Sequence, residues 1–221
     1  MAGQYRTEDL AAVAIGYNIW LPLFLVFTGV MLGATTIIAQ DSGAGRLHRI
    51  RDSLPQALWL ALTLGLLTGA LCYFSDPLLG VLQLDAATRQ KCRAYLQAIA
   101  FGLPAAALFQ ALRCHTQGIG VMRPFAVASV LGFIANIPLS YAFIYGKWGA
   151  PELGAAGCGV ATAIAMWLSP LLISMYMLRA QGLKAYLPPL RPVAPDPAIL
   201  REIWRLGLPM GLSFFLEVLA F

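Results

Sequence analysis

The chain has 221 residues, of which 59% are hydrophobic and only 11% are charged, and its formal net charge is +5. A water-soluble domain carries about 25% charged residues, so this composition excludes a hydrated globule and favours a multi-pass membrane protein. The basic residues lie in short loops rather than in one patch, which argues against a nucleic-acid-binding protein.

Apolar stretches recur along the chain at the length that an α-helix needs to cross a bilayer, and they predict an all-α polytopic bundle. The predicted spans cover residues 10–40, 54–74, 95–116, 124–145 and 153–178, followed by an apolar run from 206 to 221. That last run has 16 residues. At about 1.5 Å per residue it is too short to cross a hydrocarbon core of about 30 Å. Because this run is too short to cross, we expect a fragment of a longer protein. No cleavable signal peptide precedes the first span.

A proline-rich segment separates the last apolar run from the spans before it. Its prolines predict an extended linker; they are Pro188, Pro189, Pro192, Pro195 and Pro197. The following stretch "DPAILREIWRLG" predicts a short amphipathic helix at the membrane surface, capped by Asp196 with Pro197 at its first position.

The distribution of Lys and Arg predicts the orientation in the membrane. Ten basic residues fall on one side of the predicted spans, and this side, with the linker, should be cytoplasmic: Arg46, Arg49, Arg51, Arg113, Arg123, Arg179, Lys184, Arg191, Arg201 and Arg205. The other five are Arg6, Arg89, Lys91, Arg93 and Lys147. The amino end would then start outside, which suggests a preceding span.

Glycines spaced four apart predict close helix packing. Gly29 and Gly33 form one such pair in the first span, and Gly65 and Gly69 form another in the second. Small residues at this spacing let helix backbones approach in lipid, where no hydrophobic drive pulls helices together.

Glu217 is the only charged residue after Arg205. Counting from Leu206 places it about 16 Å into the membrane, near the middle of the bilayer. A carboxylate there must bind a cation, pair with a basic group or take up a proton. No Lys or Arg of the other spans lies at that depth, so we predict a coupling-ion site for Na⁺ or H⁺. A neutral glutamate hydrogen-bonded between helices is the alternative.

Three polar positions inside the other spans are further candidates. Asn136 and Ser140 lie four residues apart and share a helix face, and Pro138 between them removes a backbone hydrogen bond. Transporters commonly build ion and substrate sites at such broken helices, although polar packing at a kink is equally compatible. Asn18, four residues before Pro22, repeats this pattern as a candidate substrate contact.

Gln110 is the remaining candidate substrate contact, with a polar contact between helices as the alternative. No nucleophile, base and oxyanion donor can be assembled from the chain, so no enzyme is expected. We also expect no cofactor, and no metal site beyond a possible Na⁺ at Glu217.

Several motifs resemble the multidrug and toxic compound extrusion (MATE) family, in its NorM-type branch. The most specific is "IYGKWGAPELGAAGCGVATAI", and others are "AQDSGAGR", "NIPLS" and "FFLEV". The resemblance implies about twelve spans in two six-helix lobes, of which this chain would hold spans two to six and the start of span seven. Residues 1–180 would form most of the amino lobe, 181–205 the cytoplasmic linker with its surface helix, and 206–221 the start of the carboxy lobe.

The resemblance also implies a function and a site. Glu217 is similar to the glutamate of the family's "FFLEV" motif, which is implicated in binding the coupling cation. Asn136 matches the family's "NIPLN" motif, in which Ser140 replaces an asparagine. The implied protein is a Na⁺- or H⁺-coupled antiporter of the bacterial inner membrane that exports lipophilic, often cationic compounds. It would need the lipid bilayer but no obligate protein partner.

Two other functions stay open at this point. The protein could be an ion-coupled exporter of another solute, such as a lipid-linked sugar or a metabolite. An intramembrane enzyme that uses Glu217 as an acid or base would need a second catalytic group at the same depth, where the visible spans offer only amides and hydroxyls.

Overall fold

The structure is a computed structural model that describes residues 7–81, 84–149, 151–188 and 194–219. Within these ranges every regular element is an α-helix, which confirms the predicted all-α class. The helices are α1 (Thr7–Gly43), α2 (Leu47–Tyr73), α3 (Asp76–Val81), α4 (Ala86–Gly118), α5 (Arg123–Tyr145), α6 (Ala155–Arg179), α7 (Gln181–Lys184) and α8 (Pro197–Leu219). Arg6, Arg191 and residues 189–193 of the predicted linker lie outside the described ranges.

Five of these helices, α1, α2, α4, α5 and α6, are long and apolar enough to cross a membrane. Each covers nearly all of one predicted span, and several extend further. Helix α4 begins at Ala86, nine residues before the predicted start, because its first turns are polar and escape a hydropathy search. The carboxylate of Asp85 accepts a hydrogen bond from the Ala87 N–H at 3.2 Å and so caps these turns.

Helix α4 is the central element of the bundle. It packs against α1, α2 and α6, while α5 packs mainly on α6. The core between these helices is apolar, and its fully buried side chains include Phe27, Met31, Leu96, Ile99 and Leu103. Large apolar side chains such as Phe101 and Phe133 remain exposed on the outer surface. This surface is the one that lipid would cover.

The carboxy-terminal helix corrects one expectation. The predicted surface helix and the apolar run after it form a single helix of 23 residues, Pro197–Leu219, which continues through Pro209. The predicted cap is confirmed, because Asp196 Oδ1 accepts a hydrogen bond from the Ala198 N–H at 2.8 Å. The division of the chain into units at 180/181 and 205/206 stays a prediction.

Both predicted glycine pairs lie at close helix contacts, as expected. Gly29 and Gly33 of α1 face α8, where a Cβ on Gly33 would lie 2.6 Å from the carbonyl oxygen of Ile203. Gly65 and Gly69 of α2 face α4, where a Cβ on Gly65 would lie 2.7 Å from the Cα of Pro104. These backbones approach so closely only because glycine has no side chain.

The buried carboxylate of Asp41 forms two ion pairs that close the turn between α1 and α2. Asp41 is only 1% exposed. Its Oδ1 lies 2.9 Å from Arg46 Nε, and its Oδ2 lies 3.7 Å from Arg49 Nε. The carboxylate thus ties the end of the longest helix to the start of the next one.

We expect Asp41→Asn to lower the free energy of unfolding by about 1.5–3 kcal/mol, the range for a hydrogen bond to a charged group. The two arginines are partly exposed, so water can solvate them once the carboxylate is gone. Asp76→Asn is the control, because its 2.8 Å pair with Arg93 is exposed on both sides and should contribute less than about 1 kcal/mol. Thermal unfolding in detergent compares the variants, and equal losses would contradict the burial argument.

Candidate functional site

The depth of Glu217 follows from the register between α1 and α8. The two helices run antiparallel, with Gly29 against Gly211. Glu217 lies six residues beyond Gly211, which corresponds to about 9 Å along the helix axis. The same distance along α1 leads from Gly29 to Leu23, close to the midpoint of Thr7–Gly43. The register therefore places Glu217 at the level of the middle of the longest helix.

The carboxylate of Glu217 has no basic partner in the described part of the chain. Its side chain is exposed on α8. Other carboxylates in the described ranges do form ion pairs, among them those of Asp9, Asp41, Asp76 and Glu202. A carboxylate at this level without a neighbouring positive charge can accept a proton or an alkali cation.

Asn18 lies on α1 and is also exposed. It lies five residues from Leu23 and so about 7.5 Å along the axis from the level of Glu217. The structure therefore places these two candidate residues on neighbouring helices at similar depths. Their assignment to substrate and cation stays a prediction.

Asn136 and Ser140 share a face of α5, as their spacing predicts. The Ser140 hydroxyl donates a hydrogen bond to Asn136 Oδ1 at 3.3 Å. Helix α5 packs mainly on α6, whereas α8 packs on α1 and α2. The structure thus brings Asn136 and Ser140 together but does not bring either residue to Glu217. The three residues form two separate places and not one coordination sphere.

Gln110 is buried between α4 and α1. Its Nε2 donates to the Thr28 hydroxyl at 3.0 Å, and its Oε1 accepts from Arg113 Nη1 at 3.3 Å. The guanidinium of Arg113 in turn stacks over the ring of Phe125 at 4.5 Å. In this arrangement both ends of the amide serve contacts within the bundle, which matches the alternative interpretation. A substrate role for Gln110 stays a prediction.

A charged cluster near the starts of α1 and α4 was not predicted from the sequence. Asp9 is 3% exposed, and its Oδ1 lies 3.0 Å from Lys91 Nζ. The pair borders a cavity of about 420 Å³ that Glu152 also lines. Gly154 has a φ of +55°, and a Cβ there would lie 3.2 Å from Asp9 Oδ2. No local pattern predicts this pair, because its partners are 82 residues apart.

Comparison with known proteins matches this fold and these residues to one group. A family model described as MatE matches residues 1–142. The chain is 42% identical over 218 residues to "Multidrug resistance protein PmpM" of Pseudomonas aeruginosa, covering 98% of this chain and 46% of that protein. It is 40% identical over 222 aligned residues to "Multidrug resistance protein MdtK" of Photorhabdus laumondii, covering 100% of this chain and 49% of that protein.

A solved structure shows the same arrangement of helices. It is described as the inward-facing conformation of a multidrug resistance MATE family transporter of the MOP superfamily, and it superposes with a TM-score of 0.84 at 25% identity. The match covers 96% of this chain and 48% of that one. The chain spans about half the length of the curated relatives it matches. These observations show that the chain belongs to the MATE family and is a multi-pass protein of the bacterial inner membrane.

Proposed function

We propose that the full-length protein is a multidrug antiporter that exports lipophilic, often cationic compounds in exchange for Na⁺ or H⁺. The observation that supports this proposal is the position of Glu217. Its carboxylate is exposed, lies at the level of the middle of α1 and has no basic partner among the described residues. The relatives described as multidrug resistance proteins support the choice of substrate class. The protein is then a transporter and not an enzyme.

The coupling would work through the free energy of that carboxylate. A negative charge in a low-dielectric environment is costly, and a bound proton or Na⁺ neutralises it. A ligand shifts a conformational equilibrium only by the difference between its affinities for the two states. Cation binding at Glu217 would therefore favour the access state in which the carboxylate is least hydrated.

The other candidate residues have defined places in this proposal. Asn18, exposed near the level of Glu217, is a substrate contact. Gln110 becomes a substrate contact only when it exchanges its hydrogen bond to Thr28 for one to the substrate. Asn136 and Ser140 provide oxygen ligands on α5, at a second place apart from Glu217.

Transport by the full-length protein in vesicles tests this function. We expect an imposed Na⁺ or pH gradient to drive ethidium across the membrane, and collapse of that gradient with an ionophore to stop it. Protein-free vesicles are the control. Gradient-independent movement would contradict the coupling. Transport of a lipid-linked sugar in place of ethidium would instead support an exporter of another solute.

A further inference from the structure

The start of α2 carries a buried amide that binds the backbone of a distant segment. Gln56 is 1% exposed. Its Nε2 donates to the carbonyl oxygen of Ala194 at 3.0 Å, and its Oε1 accepts from the N–H of Asp196 at 2.7 Å. Residues 194–196 are not helical. One side chain therefore pairs with two backbone groups, as a neighbouring strand would.

These bonds meet a need of the buried amide. A polar side chain that is buried without hydrogen-bond partners is costly, and the exposed residues 194–196 supply partners for both ends of Gln56. Asp196 is also the cap of α8, because its carboxylate accepts from the Ala198 N–H. Gln56 thus binds the residue at which α8 begins.

Two arginines of α2 extend the contact on both sides. Arg51 Nε donates to the carbonyl oxygen of Ala185 at 2.6 Å, near the start of the linker. Arg49 Nη2 lies 3.3 Å from Glu202 Oε2, within the second turn of α8. We call Arg49, Arg51 and Gln56 the linker clasp. One short segment of α2 therefore contacts the described start of the linker, its end and the first turns of α8.

We propose that the linker clasp, with Gln56 as its central member, positions α8 relative to α1 and α2. Helix α8 is continuous from Pro197 to Leu219, so its starting point sets the depth of every residue along it. Glu217 lies 20 residues beyond Pro197, about 30 Å along the axis. Gln56 is a positioning residue: it acts on the candidate cation site through the linker backbone and α8, without touching the site.

Amide hydrogen exchange in the full-length protein tests the clasp directly. Gln56→Met keeps the volume of the side chain but removes both hydrogen bonds, so we expect the Asp196 amide to exchange about 5- to 10-fold faster. Thr63→Val is the matched control on α2, because the Thr63 hydroxyl donates only to Leu60 of its own helix.

The outcomes separate the clasp from a general loss of structure. Wild-type exchange in Gln56→Met would overturn the proposal, and so would equal acceleration in Thr63→Val. If Gln56→Met does not fold, Arg51→Met tests the proposal instead. Arg51 binds the carbonyl oxygen of Ala185, next to the Lys184–Ala185 peptide bond that trypsin can cleave. We then expect trypsin to cleave after Lys184 several-fold faster, and an unchanged rate would overturn the proposal. Neither readout depends on transport, so either can fail while the proposed antiport stands.

Discussion

Replacing Glu217 with glutamine is expected to reduce gradient-driven ethidium transport by the full-length protein roughly 10- to 100-fold, the range of typical coupling free energies. Glutamine keeps the size of the side chain and its oxygen, but it can neither carry the negative charge nor take up the proton. The change therefore removes the ionisable group and little else. The readout is the initial rate of ethidium movement in vesicles under an imposed Na⁺ or pH gradient.

Two controls make the Glu217 result specific. Asp76→Asn removes a carboxylate from an exposed ion pair with Arg93 and should leave the rate near that of the wild type. Direct uptake of radioactive Na⁺, or proton release on adding substrate, should vanish in Glu217→Gln together with transport. Unchanged efflux and unchanged cation exchange in this variant would remove Glu217 from the mechanism.

A single methyl group at Gly207 is expected to separate α8 from α1. Gly207 packs directly on the backbone carbonyl of Val30, and a Cβ there would overlap with that oxygen. A backbone carbonyl cannot move aside as the end of a flexible side chain can. We therefore expect Gly207→Ala to lower the free energy of unfolding by about 3 kcal/mol, at the upper end of typical overpacking costs.

Gly43→Ala is the matched control for that experiment. Gly43 ends α1, and a Cβ there would have no atom within 4 Å. Alanine is favoured over glycine in helices by about 0.5–1 kcal/mol, so this variant should be as stable as the wild type or slightly more so. Thermal unfolding in detergent measures both. Equal stability of the two variants would mean that α1 and α8 do not approach as closely as the structure has them.

Local features of the sequence predicted much of the fold. Hydropathy placed all five long apolar helices, because each must present apolar side chains along its whole crossing. Asp196 and Pro197 predicted the start of α8, because capping needs only neighbouring residues. The same reasoning failed at Ala86, where α4 begins as a polar helix, and at Leu206, where the predicted surface helix continues into the apolar run as one helix.

The sequence by itself determined the number of long apolar helices, the capped start of α8 and the presence of one carboxylate in an apolar run. Only the tertiary structure decided which segments meet. Gly29 and Gly33 predicted a close contact but not that its partner is α8, and neither Gln56 nor Asp9 showed where its partner lies. The physical reason is the separation of the partners along the chain. Helix formation depends on residues within a few turns, whereas these contacts join segments about 80 to 180 residues apart and form only when the bundle assembles.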